Sequence, residues 1–194
     1  MQTEILKGIQ HLAAADPVMN QIMFSHQYQC PLGSQGKSIY ELFIGAIVGQ
    51  KISFMQARNI RRNLYTNLKE ITPANLANTS DQNLRSFGIS DQKIGIVRQF
   101  HNWYIANLQG NPESAFTPDQ LRTFCQGCLQ LVGIGQWTVN NVLIMSGLNL
   151  DIFLTGDKFI SKKIQQWYPG QNVNDLQLKW APYRSIATWF LWRP

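Results

Sequence analysis

LQLVGIGQWTVNNVLIMSGLNLDIFLTGDKFI, residues 129–160, reads as two apolar helices folded about a glycine turn, followed by a capped third helix. The segments 121–129 and 136–146 carry the helical apolar pattern on either side of Leu131-Val132-Gly133-Ile134-Gly135. Two glycines one residue apart permit left-handed backbone and clear side chains from a tight turn. Ile134 between them is placed to tuck inward and pin it. The N–H groups at the mouth of the second helix suit a phosphate, because helix N-termini carry unpaired donors and partial positive charge. An ordinary helix–helix turn satisfies the same GxG, so the motif by itself leaves both readings open. Downstream, Thr155-Gly156-Asp157 opens the basic helix KFISKKIQQW. Asp157 there reads either as a helix cap or as a carboxylate with chemical work to do.

Outward from this run the punctuation is helical. Asp16-Pro17, Thr72-Pro73 and Thr117-Pro118 each pair an N-cap with a first-turn proline, and Thr117 with Gln120 forms a capping box. Ser80 and Ser90 are further caps; Gly88 and Gly110 are stops. No segment alternates apolar and polar residues for long, and no Asn-Gly or Asp-Gly hairpin occurs. The pattern predicts helices over 3–13, 16–26, 38–48, 54–69, 73–78, 81–87, 91–108, 118–127, 136–147, 158–167 and 179–192, an all-α chain. Gln27–Gly36 (QYQCPLGSQG) is the expected link between lobes.

With 194 residues, 44% hydrophobic and 11% aromatic, the chain has the apolar content for a core, which excludes global disorder. Its longest apolar stretch, Leu42–Val48, is far too short to cross a membrane. MQTEILKG has no secretory pattern, so an intracellular, non-secreted protein is expected. The net charge is +6. It concentrates in Lys51–Arg98, with eight basic and three acidic residues, and in Lys158–Pro194, with six and one. Such blocks fit a polyanion-binding face and equally fit solvated helix faces. Cys30, Cys125 and Cys128 are an odd set without a disulfide framework, and the CxxC of FCQGCLQL reads as core-facing thiols rather than a metal site.

LVGIGQWT, about twenty residues, then FLTGDKFI resembles the helix-hairpin-helix (HhH-GPD) superfamily of DNA glycosylases. IVGQKIS, SFGISDQK and KWAPYRSIATWFLWRP resemble the same superfamily's other landmarks, in the same order, over about residues 41–194. Within it the chain is most similar to the 3-methyladenine DNA glycosylase II (AlkA) type.

The resemblance implies two helical lobes flanking a cleft. Residues 1–37 with 158–194 would form one lobe, and 38–157 the other, with the hairpin at about 118–147. It implies a monofunctional glycosylase that flips a damaged base, an alkylated purine above all, out of double-stranded DNA and hydrolyses its N-glycosidic bond in base excision repair. By that likeness Asp157 is the catalytic carboxylate, and Trp137, Trp180 and Asn141 line the base pocket. Gly133, Gly135 and Thr138 hold a phosphate. Gln50 and Lys51 stand at the turn that fills the gap left by the flipped nucleotide. The carbonyls of Leu129, Leu131 and Ile134 hold a monovalent cation.

Trp137 occupies the position where bifunctional members carry a Schiff-base lysine, so strand cleavage through an imine is not expected. With no cysteine after Cys128, no iron–sulfur cluster is expected either, nor any other cofactor. Further expectations are a monomer that acts wherever the genomic DNA lies, without the extra N-terminal β-domain that some members carry. The alternative is a non-catalytic helix-hairpin-helix DNA-binding module, which would need neither the aspartate nor the aromatics.

Overall fold

A computed structural model describes residues 1–33, 36–108 and 116–193. The helices that follow Asp16, Thr72, Ser80 and Thr117 begin where these caps predict. Among the described residues the elements are α1 (Gln2–Ala15), α2 (Pro17–Ser25), α3 (Ile39–Gly49), α4 (Phe54–Leu68), α5 (Pro73–Ala77), α6 (Asp81–Ser86), α7 (Asp91–Leu108), α8 (Pro118–Leu129), α9 (Gln136–Ser146), α10 (Lys158–Trp167), α11 (Val173–Trp180) and α12 (Arg184–Leu191). No strand occurs among them. Asp16, Thr72, Ser80 and Thr117 accept N–H bonds from the first turns of their helices, and Thr117 with Gln120 closes the capping box. Ser53 and Gln56 make a second box that the pattern did not predict. Gly88 turns the chain after α6 with φ +95°. The predicted stop at Gly110 lies outside the described residues, as do Ser34 and Gln35 of the predicted link.

One expectation fails at the C-terminus. The stretch 179–192 is two helices, α11 and α12, and α11 starts earlier, at Val173 with Asn172 as its cap. The break is Ala181-Pro182. Proline has no N–H to donate and disfavours helical backbone in the residue before it, and Ala181 is extended (φ −64°, ψ 142°).

The chain divides into a terminal unit, Met1–Lys37 with Leu143–Pro194, and a central unit, Ser38–Val142. The expected boundary at 157 therefore moves to within α9, and 143–157 joins the terminal helices. Hydrogen bonds give the reason. Gly33 N–H donates to the Met145 carbonyl (3.1 Å), and Ser185 N–H donates to the Leu150 carbonyl (2.9 Å). The Ser185 hydroxyl takes the Ile152 N–H and donates to the Asn149 carbonyl, both at 2.9 Å. Arg184 grips Asp151 with two bonds of 2.6 and 2.7 Å, which holds the Asp151 carboxyl below the usual carboxylate range. In the predicted link Leu32 is buried, while Gln27, Tyr28, Gln29 and Gly36 are exposed.

The central unit is assembled on stacked rings. Phe43 of α3 lies 4.7 Å from Phe100 of α7 and 5.6 Å from Phe124 of α8, centroid to centroid. Tyr40 stacks on Phe100, and its hydroxyl meets Nδ1 of buried His101 at 2.8 Å. The terminal unit is built around a carboxylate. Asp16, only 4% exposed, accepts Val18 and Met19 N–H on Oδ1, and Tyr168 O–H (2.9 Å) and Trp180 Nε1–H (2.8 Å) on Oδ2. One side chain thus caps α2 and ties it to the end of α10 and to α11.

Asp16→Asn turns one acceptor oxygen into a donor that faces two donors, and an indole N–H cannot reverse its role. Unfolding in urea should register a loss of about 3 kcal/mol, as for other broken buried networks. A loss below about 0.5 kcal/mol would show that the network contributes no more than an ordinary surface contact. His101 makes a second prediction. Burial, and then the Arg98 charge, lower its pKa below the ordinary 6.5. A proton therefore prefers the unfolded chain, so stability is complete above about pH 6.5 and falls as pH drops through that value. Half-buried His26 is shifted the same way and adds to the slope. His101→Gln should flatten the slope of unfolding free energy between pH 7 and 5 without abolishing it.

Candidate functional site

The expected site residues divide between the two units. The central unit holds Gln50, Lys51, Leu129, Leu131, Gly133, Ile134, Gly135, Trp137, Thr138 and Asn141; the terminal unit holds Asp157 and Trp180.

In the central unit the glycine turn is tightly determined. Leu131 N–H bonds to the Cys128 carbonyl and Ile134 N–H to the Leu131 carbonyl, each at 3.1 Å. Gly133 stands at φ +84°, and a Cβ there would lie 2.4 Å from Cδ1 of Ile96. The left-handed backbone conformation calls for glycine at this position, and a Cβ there would also have to displace the Ile96 side chain of α7. Ile134 is buried, while Val132 is 77% exposed. Gly135 leads into α9, where its carbonyl takes the N–H of Thr138 (2.9 Å). Trp137 and Asn141, four residues apart, lie one above the other on α9, both half-buried. An aromatic face and an amide on one stripe of helix can stack on a planar ring and hydrogen-bond its edge.

Gln50 plays a part that the sequence did not suggest. Its side-chain amide donates to the Gly133 carbonyl (3.0 Å) and to Oγ1 of buried Thr138 (2.9 Å). The α3–α4 turn is thereby stapled to the glycine turn, and the Gln50 amide is committed to the protein. Lys51, next in sequence, is exposed and in left-handed backbone (φ +52°) at the tip of the turn. The amine, rather than the amide, is what the turn presents outward. Signals for Gln50 were absent because its partners lie more than eighty residues away.

Half of the charge in the first basic block is engaged by other groups of the fold. Arg61 Nε donates to the Gly45 carbonyl (3.3 Å), and Lys93 Nζ to that of Val48 (2.7 Å), both with proton affinity lowered by burial. Arg98 bonds Asp81 and the carbonyls of Leu76 and Thr79. Arg85 pairs with Asp91. Lys51, Arg58, Arg62 and Lys69 stay exposed, and Arg58 and Arg62 lie one turn apart on α4.

In the terminal unit Asp157 caps α10, with Oδ1 accepting Phe159 and Ile160 N–H at 2.9 and 3.0 Å. Its own N–H bonds to the carbonyl of buried Leu154, and Gly156 (φ +85°) makes the turn. The stretch before it is the one lashed to α12 through Ser185 and Arg184. Asp157 is therefore half-buried on a braced segment, with one carboxylate oxygen oriented by two N–H groups. A cavity of about 590 Å³ lies beside this loop, against Thr155, Gly156 and Tyr168, but Asp157 does not line it.

Trp180 departs from expectation. Its ring is fully buried, 5.6 Å from Phe153 and 5.7 Å from Tyr168, with its N–H on Asp16. The structure makes it core, because Asp16 supplies the buried acceptor that an indole needs. Cys128 is buried and Cys125 half-buried; burial raises both thiols' pKa, opposite to what a reactive thiolate requires. Among the described residues no group of three or more His, Cys, Asp or Glu is arranged to hold a metal.

No family model matches the chain. Over 98% of its length it is 25% identical to DNA-3-methyladenine glycosylase 1 of Schizosaccharomyces pombe, spanning 88% of that protein. It superposes on a solved 3-methyladenine DNA glycosylase of the same yeast, in complex with abasic DNA, with TM-score 0.79 and 24% identity. That match covers 96% of this chain and 95% of the other. A DNA-3-methyladenine glycosidase from Bacillus halodurans matches with TM-score 0.66 and 22% identity over 95% of this chain and 87% of its own.

Gln50→Ala removes both bonds of the staple. At about 1 kcal/mol per bond, the Ile134–Val139 amides should exchange hydrogen roughly 5- to 30-fold faster. Exchange as slow as in the unaltered protein would mean that the turn holds its shape without Gln50.

Proposed function

We propose, for a chain that belongs to the helix-hairpin-helix DNA glycosylase superfamily, that it is a monofunctional N-glycosylase of the 3-methyladenine (AlkA) type, releasing alkylated purines from duplex DNA. The observation that carries the reading is Asp157, a half-buried carboxylate on a braced turn, in a chain whose fold and sequence follow the 3-methyladenine enzymes over nearly their whole length.

In this reading the exposed turn at Gly133–Gly135 and the start of α9 take a phosphate on backbone N–H groups. Arg58, Arg62 and Lys51 supply the cationic surface that duplex DNA needs. The damaged base turns out of the stack and lies against Trp137, with Asn141 toward its edge. An alkylated purine carries positive ring charge. It gains cation–π attraction from the indole, and it leaves as a neutral base without a general acid. The bond from C1′ to the ring nitrogen breaks, and its electron pair goes to the base. The Asp157 carboxylate stabilises the cationic sugar and takes a proton from the water that attacks C1′. The products are the free base and an abasic site in an unbroken strand.

Trp137 has no amine to trap the sugar as an imine, which supports hydrolysis without lyase chemistry. A monovalent cation on the carbonyls of Leu129, Leu131 and Ile134 would add positive charge beside the bound phosphate. The Leu131 carbonyl spends one lone pair on the Ile134 N–H, and a carbonyl oxygen has a second to offer a cation.

Duplex DNA treated with a methylating agent, with released bases read by mass spectrometry, tests the reading. Wild type should free methylpurines and leave strands intact until alkali is added. Asp157→Asn should bind the duplex yet release base about 10²–10⁴-fold more slowly. Release at the wild-type rate by Asp157→Asn would remove Asp157 from the mechanism. Absence of release by both proteins, with binding kept, would favour a DNA-binding module without base chemistry.

A further inference from the structure

The second basic block leaves a feature that the glycosylase reading does not use. Of its cations, Arg184 is paired with Asp151, whereas Lys163 of α10 and Arg193 just after α12 converge with His26, which caps α2, on a cavity of about 300 Å³. All three elements belong to the terminal unit. The floor is apolar and aromatic, formed by Ile22, Trp167 and Phe190, and no lining residue is acidic. Phe190 is buried, and the His26 ring stacks on it at 6.4 Å with the planes 30° apart.

Aromatic rings hold both cations in place. Lys163 Nζ lies 5.7 Å from the Phe159 centroid, and Arg193 Cζ lies 5.4 Å from that of Trp189. Among the described residues no carboxylate forms an ion pair with either. Burial first, then the charges of Arg193 and Lys163, lower the pKa of His26. Its imidazole is thus a neutral aromatic wall at pH 7, close to two positive groups. The Phe159 and Trp189 rings lie outside the cavity lining, but Lys163 and Arg193 share that lining with His26, Trp167 and Phe190. Cations with donors to spare beside aromatic rings present the two halves of one ligand type: an anion attached to a planar ring. The volume stands at the small end for ligand sites and suits a single nucleotide rather than a larger cofactor.

We infer that this cavity binds a nucleoside monophosphate, with the phosphate on Lys163 and Arg193 and the base against Trp167 and the His26–Phe190 stack. The ligand is either a free nucleotide or the 5′-phosphorylated end of a DNA strand. The inference is independent of the chemistry at Asp157, since no residue is common to both.

Deoxyadenosine 5′-monophosphate is the probe, followed by NMR at the Trp167 indole N–H, with deoxyadenosine and inorganic phosphate as half-ligands. The full nucleotide should shift that resonance saturably, at a concentration about ten-fold below either half. Lys163→Ala and Arg193→Ala, each checked for folding by circular dichroism, should each weaken binding about five-fold. Hexadeoxyadenylate with and without a 5′-phosphate separates the sources. A tighter response to the phosphorylated hexamer than to the nucleotide supports a strand end, and the reverse supports a free nucleotide. An equal response to deoxyadenosine and to the nucleotide would overturn the proposal. So would a nucleotide affinity untouched by both alanine variants, or a Trp167 resonance that no probe moves.

Discussion

A buried carboxylate organises the terminal unit. Asp16 takes four hydrogen bonds from α2, Tyr168 and Trp180, with partners more than 150 residues apart in sequence. An ion in an apolar interior is tolerable when donors replace its water, and these four donors do so. The consequence reaches the site, because Tyr168 ends the same helix that Asp157 begins. Helix α10 is held at its far end by Asp16, and the segment entering it is held by α12. The Asp157 carboxylate is thereby carried on a ten-residue rod fixed from both directions.

The central unit achieves a comparable result by different means. A stack of aromatic rings sets α3 against α7 and α8, and α7 in turn presses Ile96 against the glycine turn. The Gln50 amide closes the arrangement from the α3–α4 side. The turn is thus buttressed by neighbours from two other elements. Rigidity of this kind is what an anion-binding backbone needs, since N–H groups that already point outward lose little freedom when a phosphate arrives.

Charge divides along the same lines. Four of the eight basic residues in the first block make ion pairs or carbonyl contacts within the fold, leaving an exposed set on and beside α4. A net charge read from sequence therefore overstates the positive surface offered to a polyanion. In the second block Arg184 braces the Asp157 segment, while Lys163 and Arg193 face a cavity of their own. Like charges close together in sequence thus carry three distinct tasks.

What the chain makes legible by itself is local. Helix starts at Asp16, Thr72, Ser80 and Thr117 are readable because a cap and its N–H partners lie within three residues. The glycine turn at Gly133 and the cap at Asp157 are readable on the same ground, and the absence of alternating segments establishes the all-helical class. The remainder depends on partners distant in the chain. Trp180 fits an aromatic pocket or a core equally well as a residue, and the Asp16 carboxylate, 164 positions away, decides for the core. Gln50 looks like any polar residue in a turn until folding brings the Gly133 carbonyl and Thr138 to its amide. The boundary between units falls inside α9 because Gly33 and Ser185 bond to the carbonyls of Met145 and Leu150, on the far side of it. Local hydrogen bonds can be read from spacing; long-range ones arise when packing brings the two groups together.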